Sequence, residues 1–141
     1  MPLPQLRPIL LADDDEDDLF FTRRAIVFAG VANPIITVRC GDEAIAYLSK
    51  LPSVVPCVAF IDVKMPLGGF EVLRWVKQNQ SLRDVKVIIL SGSDLPQDHA
   101  RATALGADGY LVKFPSQRDI LNSVTSVGGI ETTETRNRAL S

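Results

Sequence analysis

Five short apolar runs recur along the chain, each ending in turn chemistry and each followed by a stretch with helical spacing of its apolar positions. The runs are Pro8–Ala12, Ile35–Val38, Cys57–Asp62, Val85–Leu90 and Gly109–Lys113. Runs this short and this apolar suit strands buried on both faces. Between them, Leu19, Thr22 and Ile26 share one helical face, as do Ala44, Ile45 and Leu48, then Val72, Leu73 and Val76. A fourth helix runs to Ala104, and Gly106 suits a left-handed cap at its end. Ile120, Leu121, Val124 and Val127 form the stripe of a fifth. Helix starts are marked by the acidic run Asp13–Asp18, by Gly41-Asp42 and by Gly68-Gly69. Stops are marked by Gly30 and by the loop from Leu51-Pro52 to Pro56.

Five strands alternating with five helices over short connections predict an α/β fold, a parallel sheet covered on both faces. Right-handed crossovers make it doubly wound, a (βα)5 unit. The expected organisation is an N-terminal extension over residues 1–7, one domain over 8–127 and a flexible tail over 128–141, where Gly, Thr, Glu and Arg leave little to bury. The chain has 141 residues, 46% hydrophobic and 23% charged, ordinary for one globular domain. A net charge of −2 with no basic run gives no general attraction to nucleic acid or anionic membrane. No apolar stretch is long enough to span a bilayer, and the Met-Pro-Leu-Pro start lacks the regions of a signal peptide, so a cytoplasmic location is expected. Cys40 and Cys57 lack CxxC spacing and read as reduced structural thiols. His99, the only histidine, excludes a histidine-rich metal site.

In a parallel sheet all strands end on one edge, which is where open α/β folds place their chemistry. That rule gathers Asp13 and Asp14, Asp62, Ser91 and Lys113 on one rim. Three close carboxylates repel, so they must share a proton or a cation, and a hard divalent ion such as Mg²⁺ suits their oxygen ligands. With a lysine and a hydroxyl beside them, they describe a site that takes a phosphoryl group onto an aspartate. Asp15 through Asp18 are read as a solvated helix start. A calcium-binding EF-hand loop fails, because the sixth place from Asp13 is Asp18, not glycine, and the twelfth is Arg24, not glutamate. The DxDx[TV] pattern of haloacid-dehalogenase phosphatases fails at Asp17, and no Gly/Ser/Thr-rich loop follows the first strand to hold a flavin phosphate.

Asp13-Asp14, Asp62 with Met65-Pro66, Ser91-Gly92, Tyr110 and Lys113, in that order at those strand ends, resemble the receiver domain of two-component response regulators. The text around Gly41-Asp-Glu-Ala and Phe70-Glu-Val-Leu-Arg-Trp75 is similar to the single-domain regulators associated with phytochrome-type kinases. The resemblance spans about Pro8 to Val127 and implies a flavodoxin-like fold with strand order 2-1-3-4-5. It implies Asp62 as phosphoacceptor, with Mg²⁺, or Mn²⁺ in its place, held by Asp14, Asp62 and the main-chain carbonyl of Lys64, and by Asp13 through water. Lys113 would pair with the phosphoryl oxygens, and Ser91 and Tyr110 would act as the switch. The donor would be a sensor histidine kinase, and the chain would catalyse only its own phosphorylation and dephosphorylation. Output would pass to another protein, to a second copy in a homodimer, or onward by phosphoryl transfer. The competing reading is a receiver-like interaction module that works without phosphorylation, whose usual mark is loss of the acceptor, an acidic ligand or the lysine.

Three features depart from the family pattern. The turn after Met65-Pro66 reads Leu-Gly-Gly-Phe, one residue short and without its aspartate. Lys64 follows the acceptor at two residues' distance, and Lys113 precedes Phe114 where the family has a cis bond to proline. A cis bond to a non-proline residue costs roughly 2.5–4 kcal/mol, against about 0.5–1 before proline. A trans Lys113–Phe114 bond is therefore expected, with any cis bond moved to Phe114–Pro115.

Overall fold

The computed structural model describes residues 6–50 and 55–134. Its strands are β1 (Ile9–Ala12), β2 (Ile35–Val38), β3 (Val58–Asp62), β4 (Lys86–Ser91) and β5 (Gly109–Val112). The helices are α1 (Glu16–Phe28), α2 (Gly41–Ser49), α3 (Gly69–Lys77), α4 (Pro96–Ala104) and α5 (Gln117–Val124), with a 3-10 turn at Gln80–Leu82. The strands form one parallel sheet in the order β2-β1-β3-β4-β5. The fold is the expected (βα)5 flavodoxin-like one. β4 starts and ends a residue later than its apolar run, and β5 ends a residue earlier. The loop expected to close α2 falls at Leu51–Val54 on residues outside those described.

Alternation along the strands explains the two cores. Ile9, Leu11, Val58, Phe60, Ile88 and Leu90 face α1 and α5 and pack with Leu19, Ile26, Ile120 and Val124. The intervening Leu10, Ala12, Ala59, Ile61, Val87 and Ile89 face the other way, onto Ala44, Leu48, Val72, Leu73, Val76 and Ala102. Every residue of β1 and β3 is buried, which is why these strands read as unbroken apolar runs. Gly106 sits at φ 95° after α4, and the Ala107 N–H returns to the Ala102 carbonyl (3.0 Å), as the cap reading requires.

Two expectations change at the C-terminal end. α5 buries Ile120 and Val124 but leaves Leu121, off that row, 39% exposed; the helix stops at Val124, and Val127 packs on the core from beyond it. The described part of the expected tail, Gly128 to Glu134, lies against the opposite edge of the sheet from the strand ends. Thr132 forms an antiparallel bridge with Val31, and the Ala32 N–H donates to the Glu131 carbonyl (2.7 Å). The buried Asn33 side chain holds the join. Its Nδ2 donates to the carbonyls of Arg7 and Gly129 (2.8 Å each), and its Oδ1 accepts from the Glu131 N–H (2.8 Å). Backbone pairing of this kind needs no apolar side chains, and Ile130, which packs against the core, is the one apolar sign of it between Gly128 and Glu134.

Candidate functional site

The rim is built by register. Ala12 pairs with Ile61, Asp62 with Leu90 and Ser91 with Val112, so the residues that follow these positions emerge together. Main-chain bonds fix the ends: Asp13 N–H to Val38 carbonyl (3.1 Å), Val63 N–H to Leu90 carbonyl (3.0 Å) and Lys113 N–H to Ser91 carbonyl (2.8 Å). The short turn after β3 is closed by Gly69, whose N–H donates to the Val63 carbonyl (3.0 Å). A Cβ on Gly69 would run into the Asp62 carbonyl oxygen, so only glycine fits against the back of that aspartate.

Within the acidic run the residues differ in burial and in partners. Asp13 is fully buried; its Oδ1 accepts from the Asp15 N–H (3.1 Å). Asp14 is exposed. Asp15 caps α1, accepting from the N–H groups of Asp17 (2.9 Å) and Asp18 (3.0 Å). Glu16 pairs with Arg39 (3.2 Å). Asp18 is not a merely solvated helix residue: its Oδ2 accepts a hydrogen bond from Lys113 Nζ at 2.7 Å. The same ammonium lies 2.9 Å from Asp13 Oδ2 and 3.1 Å from Asp62 Oδ1. One signal for Asp18 does stand in the sequence: it precedes Thr22 and Ile26 by four and eight residues and so begins the row that faces inward.

Carboxylate oxygens of Asp13, Asp14 and Asp62 lie within 4.8 Å of one another. Burial raises the Asp13 carboxyl above its ordinary range; the Lys113 ammonium and the Asp15 N–H oppose that rise, and the charge of Asp62 adds to it. Burial alone would lower Lys113, but Asp18, Asp13 and Asp62 outweigh it and hold the ammonium well above the ordinary lysine value. Lys113 approaches Asp13 Oδ2 outside hydrogen-bond geometry, leaving that buried oxygen able to face a second cation. All-oxygen donors with one exposed member suit a hard divalent ion that keeps water ligands.

Ser91 is buried at the end of β4, and its Oγ accepts from the Ser93 N–H (3.1 Å). Tyr110 donates to the Ser93 carbonyl (2.7 Å). His99 does more than line the surface: its ring lies 3.8 Å from the Tyr110 ring, and Nε2 is 2.9 Å from Asp94 Oδ1. Sequence spacing gives no sign of that stack. Lys64 is exposed in the β3–α3 turn, on a groove of about 320 Å³ that also touches Ser91, Ser93 and Arg101. The cis bond is Lys113–Phe114, not Phe114–Pro115, contrary to expectation. The residue after the lysine is not the only factor in that choice. Lys113 itself is fixed from both ends, by its main chain on Ser91 and by its ammonium among three carboxylates.

Among known proteins, the chain is 32% identical to Protein PilG of Pseudomonas aeruginosa over 91 residues, 64% of this chain and 65% of PilG, just under two thirds of that relative. The bacteriophytochrome response regulator AtBRR superimposes with a TM-score of 0.80 at 34% identity, over 89% of this chain and 95% of AtBRR. Response regulator Rcp1 of Synechocystis is 27% identical over 84% of each chain, and its Mn(2+)-bound crystal structure superimposes with a TM-score of 0.69. A model of the response regulator receiver domain matches residues 9–125. The acidic cluster at the strand ends is poised for metal and phosphoryl chemistry, and the chain belongs to the response regulator receiver domain family.

Proposed function

We propose that Asp62 accepts a phosphoryl group from the phosphohistidine of a sensor histidine kinase. The observation that carries this reading is the ammonium of Lys113 set among Asp62, Asp13 and Asp18, beside three carboxylates within 4.8 Å. An Asp62 carboxylate oxygen attacks phosphorus, a P–O bond forms, and the donor's bond to phosphorus breaks with its electron pair leaving on the donor. With acetyl phosphate the leaving group is acetate and no proton moves. Asp14, Asp62 and the Lys64 carbonyl are the direct metal ligands in this reading, with Asp13 acting through water. Mg²⁺ or Mn²⁺ there supplies charge that offsets the phosphoryl oxygens. The Mn(2+)-bound form of Rcp1 supports a divalent ion at this site.

Lys113 holds the phosphoryl oxygens, Ser91 turns to donate to one of them, and Tyr110 follows into the space Ser91 leaves. Similarity to the bacteriophytochrome response regulator AtBRR favours a kinase of the phytochrome type. The test is incubation with acetyl phosphate and Mg²⁺, followed by intact mass. Wild type gains one phosphoryl group and Asp62→Asn gains none. Equal labelling of Asp62→Asn refutes the assignment, and an unlabelled wild type favours the interaction-module reading.

A further inference from the structure

Asp18 supplies the shortest of the three contacts to Lys113, 2.7 Å against 2.9 Å for Asp13 and 3.1 Å for Asp62. It is also the outermost. The Asp18 side chain is 20% exposed, against 1% for Asp13 and 5% for Asp62, so the carboxylates run from the floor of the site to its mouth. We infer that Asp18 is a positioning residue for phosphoryl transfer, holding the Lys113 ammonium at the mouth, where a group on Asp62 projects. The inference rests on Asp62 being the acceptor.

The physical case has two parts. An ammonium carries three N–H donors on a flexible stem, and its direction is set by whatever accepts them. Without the charge of Asp18, the carboxylates left in contact with Lys113 are the two buried ones. The ammonium then settles inward between Asp13 and Asp62, away from incoming phosphoryl oxygens. There it also crowds Asp13 Oδ2, a buried oxygen with no hydrogen-bond partner. Asp18 therefore assists both charges the reaction needs: it keeps the lysine out where the phosphoryl group arrives, and it leaves the floor to the metal. Asp18 also lies in the first turn of α1, where any acid interacts favourably with the helix dipole. That structural role predicts a lower melting temperature on neutralisation and no change in phosphorylation.

The two roles separate in a double-mutant cycle on the full chain. Initial phosphorylation rates with acetyl phosphate and Mg²⁺ are compared for wild type, Asp18→Asn, Lys113→Met and the double variant. Asp17→Asn, in the same turn and without a contact to Lys113, is the control. Asp18→Asn is expected to slow labelling roughly tenfold, the effect of about one charge-assisted hydrogen bond. In the Lys113→Met background it should slow labelling no further, and Asp17→Asn should label at the wild-type rate. Retention of the wild-type rate by Asp18→Asn overturns the inference, as does an equal slowing with and without Lys113. A lower melting temperature as the sole effect assigns Asp18 to helix stability instead. Should Asp18→Asn not fold, Asp18→Ser carries the same cycle. A wild type that takes no phosphoryl group refutes the acceptor reading itself, and this role with it. Where the wild type is labelled, the cycle reports on Asp18 alone.

Discussion

Replacing Lys113 with methionine removes the cation set among Asp13, Asp18 and Asp62 and keeps most of the apolar stem. Removing one partner of a buried ion pair costs roughly 3–5 kcal/mol, because the remaining charge is left without compensation. Asp13 and Asp62 are nearly fully buried, but Asp18 is 20% exposed and recovers hydration. The expected loss in denaturant unfolding at neutral pH is therefore about 2–4 kcal/mol. Its pH dependence has a definite sign. Lys113 lies above the ordinary lysine value, so its stabilisation is present throughout the neutral range and lost only in strong alkali. Asp13 lies above the ordinary carboxyl range and rises further once Lys113 no longer opposes burial. A carboxyl raised in the folded state destabilises above that raised value and is relieved as protons bind. The deficit of Lys113→Met should therefore shrink as pH falls from neutrality into the acid range. It should shrink on adding Mg²⁺ as well, since the ion meets no competing ammonium and stabilises the variant by more than the wild type. A deficit that grows towards acid, or that Mg²⁺ leaves unchanged, refutes this account of the site's electrostatics.

Ser91→Ala should still label with acetyl phosphate at Asp62. With beryllofluoride and Mg²⁺ it should lose most of the amide NMR shifts that wild type shows between Tyr110 and Ile120; full retention of those distant shifts removes Ser91 from the switch. Asn33→Ala breaks three hydrogen bonds of 2.8 Å at a buried position and should cost about 2–4 kcal/mol in denaturant unfolding. It should also speed hydrogen exchange at the Glu131 amide, and an unchanged Glu131 amide would mean that Asn33 does not hold the C-terminal segment.

How far this chain explains itself depends on which atoms make each contact. Leu10, Ile61 and Ile89 announce their strands because burial on both faces demands apolar side chains at every position, and that demand is written in the sequence. The rim follows from topology: once five strands are parallel, Asp62, Ser91 and Lys113 must meet, whatever their separation in the chain. Asp18 is harder to place because an acid at a helix start already has a sufficient local reason, and only the row through Thr22 and Ile26 hints at a second. The C-terminal segment is hidden for the opposite cause. On its own side, its contacts to Val31, Ala32 and Asn33 run through main-chain N–H and carbonyl groups that every residue type except proline carries. A polar, Gly-containing stretch therefore reads as tail whether or not an edge is waiting for it. Asn33 reads equally well as a turn residue before Pro34, and its partners lie 26 residues away at Arg7 and 96 and 98 away at Gly129 and Glu131. Side-chain burial and strand-end chemistry are thus legible from pattern, whereas closure by backbone pairing is not. In this protein that division places the reactive rim on the legible side and the opposite edge, closed by Gly129 to Thr133, on the other.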